Sequence, residues 1–78
     1  MLNIDKYKNI STGKNELPVG HIDNFGNVKI NNTFTNIHLD SFGNFKNGNQ
    51  LTSLRLNEFG TIVNSNGLPA SKDDFLKI

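Results

Sequence analysis

A chain of 78 residues has room for one domain, and with 35% apolar residues and no Trp it has little material for a core. Without Cys, disulfides and thiolate metal sites are excluded, so self-association becomes the favoured supplement to a thin interior. A net charge of +1 with no basic run speaks against a nucleic-acid partner. No stretch resembles a signal-peptide core or a membrane span, so no membrane partner and a cytoplasmic or virion-associated location are expected.

The chain opens with Ile4-Asp5-Lys6-Tyr7-Lys8-Asn9-Ile10, a degraded copy of a unit that returns intact three times. Residues 1–14 read as this N-terminal unit, expected to cap one exposed end of a repeat array. The intact copies are Ile22-Asp23-Asn24-Phe25-Gly26-Asn27-Val28, Leu39-Asp40-Ser41-Phe42-Gly43-Asn44-Phe45 and Leu56-Asn57-Glu58-Phe59-Gly60-Thr61-Ile62, spaced by 17 residues. Residues 15–65 therefore hold three full repeats of one domain, 1–78. Each begins on Asn, any residue, an apolar residue, then Pro or Thr, as in Asn15-Glu16-Leu17-Pro18, Asn32-Thr33-Phe34-Thr35 and Asn49-Gln50-Leu51-Thr52, and Asn66-Gly67-Leu68-Pro69 starts a fourth.

Within a unit, Ile37-His38-Leu39 and Leu54-Arg55-Leu56 alternate apolar with polar, the period of a half-buried strand. Asp or Asn, two further residues and Gly then form a turn. The side chain at its first position accepts from the backbone two residues on, and Gly supplies the positive φ of a bulge. A second strand follows, such as Val28-Lys29-Ile30, and ends in Asn-rich turn chemistry. The pattern predicts an all-β, antiparallel β-hairpin repeat array of seven or eight short strands. The alternative is a parallel β-solenoid with one coil per repeat, which hairpin signals and the prolines at 18 and 69 disfavour. Residues 66–78 form a C-terminal cap, where Ser71, acids at 73 and 74 and Lys77 predict a short helix whose Phe75, Leu76 and Ile78 cover the open end.

The aliphatic-Asp-x-x-Gly-x-aliphatic hairpin of residues 20–30 resembles the tryptophan-glycine (WG) repeats of bacteria, without their Trp, and the tyrosine-aspartate (YD) repeats of bacterial toxins, without their Tyr. Residues 48–62 are similar to the β-spiral units of viral fibre shafts, whose period is shorter. These resemblances imply hairpin architecture and, from the fibres, a homo-oligomer.

Phe25, Phe42 and Phe59 stand in or beside the turns. They are expected to fold back and complete the core; facing outward, they would offer stacking platforms to a sugar or a protein. His21, His38 and Arg55 share a column, with Asp23 and Asp40 two residues on, and read as a solvated polar face. Two His-x-Asp pairs on separate units make a poor metal site, so neither metal nor cofactor is expected. No nucleophile elbow or phosphate loop is present, and an enzyme is not expected. The expectation is a self-assembling structural or protein-interaction module, partnered by its own copies or another protein. Alternatives are a small inhibitor of phage or mobile-element type that binds a host protein, and a glycan-binding repeat.

Overall fold

The computed structural model describes residues 2–13 and 17–78, so Asn15, the expected start of the first full repeat, lies outside the described residues. Eight strands run in chain order: β1 (Asn3–Ile4), β2 (Asn9–Ser11), β3 (Gly20–Ile22), β4 (Asn27–Ile30), β5 (Thr33–Leu39), β6 (Asn44–Asn47), β7 (Gln50–Leu56) and β8 (Ile62–Val63). Each pairs with the next, always antiparallel, in one sheet whose spatial order is the sequence order. The hairpin array is therefore the architecture, and the parallel solenoid is set aside.

The array has no open ends of the kind expected for it. Asn3 bridges Thr61 antiparallel, the Ile4 N–H donates to the Gly60 carbonyl at 2.8 Å, and the Ile62 N–H donates to the Leu2 carbonyl at 2.8 Å. The Thr61 hydroxyl adds a 2.7 Å bond to Asn3 Oδ1. Strand β1 thus closes on β8, and the first unit forms the seam of a ring instead of capping a stack. Closure satisfies edge groups that would otherwise be left open.

Four hairpins make the ring, and they are joined in one way. The carbonyl that ends each turn accepts from the residue before the next turn. Lys8 accepts from Ile22 at 2.9 Å, Gly26 from Leu39 at 2.8 Å, Gly43 from Leu56 at 2.7 Å and Gly60 from Ile4 at 2.8 Å. Successive turns start at Asp5, Asp23, Asp40 and Asn57, one to each hairpin.

The column that holds Pro or Thr has a common task. Register shifts opposite Val28 and Phe45 leave those carbonyls off the regular ladder, and the hydroxyls of Thr35 and Thr52 donate to them at 2.8 and 2.7 Å. Where the column holds Pro18 or Pro69, the next N–H does the same: Val19 donates to Ile10 at 2.7 Å and Ala70 to Ile62 at 2.9 Å. Each buried strand residue Ile10, Val28, Phe45 and Ile62 so keeps its carbonyl paired, as a dry interior requires.

Those four residues, with Leu2, Ile22, Ile37 and Leu54, form the interior of the ring. Helix α1 (Lys72–Leu76) closes one end. Ser71 caps it in a reciprocal pair with Asp74, each at 3.1 Å. Its Phe75 is buried edge-on against Phe45, with centroids 5.6 Å apart and planes at 86°. The helix spans that end, sharing clefts with Val19 and Ile30 on one side and Leu54 on the other. The four hairpin turns ring the opposite end, which no element covers among the described residues.

A candidate interaction surface on the turns

The turns are built by one rule. In each, the first residue's side-chain oxygen accepts two backbone N–H groups, two and four residues on. Asp5 serves Tyr7 and Asn9, Asp23 serves Phe25 and Asn27, Asp40 serves Phe42 and Asn44, and Asn57 serves Phe59 and Thr61, all at 2.8 to 2.9 Å. The first residue's N–H and carbonyl bond the fifth and fourth residues. The fourth residue has positive φ: Gly26 and Gly43 at 85°, Gly60 at 80° and, in the degraded copy, Lys8 at 67°.

Asp23 and Asp40 thus act in the turns as well as on a polar face. Partial withdrawal from water pushes the Asp23 carboxyl up, but the N–H groups of Asn27 and Phe25, the Asn27 side chain and Lys29 hold it below the ordinary carboxylate value. At Asp40 the Asn44 N–H is the leading cause of a lowered value, opposed by desolvation and helped by the Phe42 N–H and by Lys46.

These turns reverse the expectation for the aromatic column. Phe25, Phe42 and Phe59 are 88%, 88% and 82% exposed. They do not fold into the core, because the turn's two central residues stand beyond the last ladder pair and the interior is filled from the strands and from Phe75. Tyr7 occupies the same place in the first turn and is 66% exposed, with Lys6 Nζ 5.2 Å from its ring centroid. A crown of four aromatics results, one on each turn of the ring.

At this end lies a shallow mouth of about 510 Å³, lined by Phe25 but not by the other three rings. Ile4, Ile22, Leu39 and Leu56, the residues that precede the four turns, line it, and Asp5, Asp23 and Asp40 stand on its rim with Lys6 and Lys8.

A fifth turn serves as an internal control. Asn64-Ser65-Asn66-Gly67 has the same bonds, with Asn64 Oδ1 accepting from Asn66 and Leu68 at 2.9 and 3.1 Å and Gly67 at φ 79°. This turn is out of register with the other four, overlapping the Asn-x-apolar-Pro start of the fourth unit, and lies away from the mouth, and it carries Asn66 where the others carry an aromatic. The turn itself therefore has no need of an aromatic.

The remaining candidates sit on the outer wall. His21 pairs across the sheet with Lys29 and Asn9, and its Nδ1 is 3.1 Å from Asn9 Oδ1. His38 lies between Asn27 and Lys46, and Arg55 between Asn44 and Val63. Each is on a different hairpin with no shared partner, and no group of three His, Cys, Asp or Glu among the described residues is placed to hold a metal. A second apolar set, Leu17, Phe34, Leu51 and Leu68, is exposed near the helix-capped end, and Lys29 Nζ lies 4.4 Å from the Phe34 ring centroid. The sequence marked this set as a column but did not separate it from core. Tyr7 was visible as the aromatic of the degraded copy, yet only closure of the ring makes its hairpin a neighbour of the one that carries Phe59.

No helix among the described residues is long and apolar enough to cross a membrane. Comparison with known protein families, curated proteins and solved structures finds no match.

Proposed function

We propose that the chain is a non-catalytic protein-interaction module that binds through its turn crown. One observation carries this reading: of five turns built with the same bonds, the four around the mouth each present an exposed aromatic and the fifth does not. Folding does not require these rings, and large aromatics are enriched at the centres of protein interfaces. A contiguous apolar end rimmed by polar groups is the pattern of a binding surface.

The deciding experiment replaces Phe25, Phe42 and Phe59 together by Ser. The variant is expected to melt with the wild type and to lose the proteins captured by it. Retention of every captured protein by a folded variant would refute the reading. The same exposure favours a glycan-binding alternative through stacking on Phe42. Unchanged binding on a glycan array after Phe42→Ala would remove it.

A further inference from the structure

We propose that the mouth at the turn end takes a basic, apolar segment of a partner protein, with a Lys or Arg side chain laid across its floor and the charged head held at Asp23 and Asp40. This rests on the crown being a protein-binding surface and names the chemistry of its occupant.

Charge is the first argument, taken over every charged residue of the four turns. Asp5, Lys6 and Lys8 give the first turn a charge of +1, and Asp23, Asp40 and Glu58 give the second, third and fourth −1 each. Four carboxylates against two ammonium groups leave the turn end at −2 in a chain whose net charge is +1. Both ammonium groups stand on one turn, and the other three present carboxylates alone. A partner covering this end meets a field that draws cations to three of its four turns.

The floor narrows the kind of cation. Ile4, Ile22, Leu39 and Leu56 form it, and Phe25 stands at its edge with the carboxylates. Lys and Arg lay an apolar stem along such a surface and keep the charged head at its polar border, where an aromatic face adds attraction. Asp5 shares its turn with Lys6 and Lys8, so the head belongs at Asp23 and Asp40, whose turns carry no basic residue. Lys29 and Lys46 act on these two carboxyls from the outer wall, where Lys29 is turned to the Phe34 ring.

The fold does not account for the charge. Asn57 and Asn64 make the same two turn bonds with a neutral amide. At 23 and 40 the negative charge is added to a turn that forms without it, on the two turns whose first residues border the mouth away from Lys6 and Lys8.

Selection of random dodecapeptides on the immobilised full chain, followed by fluorescence anisotropy of the enriched peptides, tests the proposal. Enriched peptides are expected to carry Lys or Arg beside Leu, Ile or Phe. Asp23→Asn with Asp40→Asn keeps the turn bonds and is expected to bind those peptides on the order of 10-fold more weakly, the effect of two exposed charge pairs. Lys6→Gln, at an exposed position that takes part in no side-chain turn bond, removes a like charge from the rim and is expected to bind them more tightly. Both differences should shrink in high salt.

Enrichment of acidic or uncharged peptides, or no enrichment, overturns the proposal. A folded Asp23→Asn, Asp40→Asn variant that binds basic peptides like the wild type overturns it too, and so does Lys6→Gln binding them no more tightly. With any of these results, loss of captured proteins by the Phe variant leaves the interaction reading standing with a different occupant. Retention of those proteins removes the interaction reading itself.

Discussion

Ala in place of Gly26 puts the turn geometry to a quantitative test. Gly26 has φ 85°, beyond the left-handed well of about +50 to +70° that side-chain-bearing residues reach. Entering even that well costs an L-residue about 1–2 kcal/mol. A Cβ built on Gly26 would sit 2.5 Å from the Leu39 carbonyl oxygen, a backbone atom held in the sheet. Relief of such overpacking costs a further ~1–3 kcal/mol. Gly26→Ala is therefore expected to lose about 3 kcal/mol, from the two contributions together. Gly48 is the reference, with φ 61° inside the well and nothing within 4 Å of its Cβ position. Gly48→Ala should lose only about 1 kcal/mol. Urea denaturation read as a shift in midpoint at constant slope measures both. A Gly26→Ala variant within about 0.5 kcal/mol of the wild type, or a Gly48→Ala variant equally destabilised, would refute the reasoning, since effects this small belong to unremarkable surface sites.

Thr52→Val removes the hydroxyl that donates to the Phe45 carbonyl at 2.7 Å and leaves that oxygen unpaired beside the core. It should cost about 1–3 kcal/mol in the same assay, whereas Thr33→Val, exposed at the start of β5, should not. Phe75→Ala deletes the ring packed on Phe45 and should cost about 3–5 kcal/mol, with loss of the near-ultraviolet aromatic signal. Acid sensitivity follows from the lowered carboxyls. Asp40 adds stability that is present above its ordinary value of 3.8 and is lost as pH falls through its lower folded value. Asn57 makes the same two bonds without a charge. Asp40→Asn should therefore keep the turn at neutral pH and reduce the fall in melting temperature below pH 3.8. An acid profile identical to the wild type would count against this account.

The hairpins were legible in the sequence because each turn is specified locally. An oxygen at the first position, a Gly at the fourth and an aliphatic residue on either side dictate a reversal without reference to the rest of the chain. The terminal helix was legible for the same reason, through Ser71 and Asp74. Closure was not. It depends on Asn3 meeting Thr61, residues far apart in sequence whose pairing leaves no local mark. Lys8 in place of Gly marked the first turn as a degraded copy, yet its φ of 67° shows the same left-handed backbone, supported at some strain.

The burial of the Phe column was misjudged for a physical reason that bears on function. Large aromatics dominate burial in small domains, so an aromatic repeated at a fixed spacing reads as core. The structure separates columns that the fold demands from columns that it does not. Gly is demanded by φ, Asp or Asn by two N–H groups, Pro or Thr by one carbonyl, and the strand aliphatics by the interior. The aromatic at the third turn position answers none of these, since Asn66 fills that place in an equivalent turn. The apolar column near the helix-capped end is partly accounted for at Phe34, where Lys29 lies over the ring. In a chain with so few apolar residues, four rings held in water around an apolar mouth withdraw material from an already thin core. A residue type that recurs at that cost without serving the fold is best explained by what it meets outside the molecule.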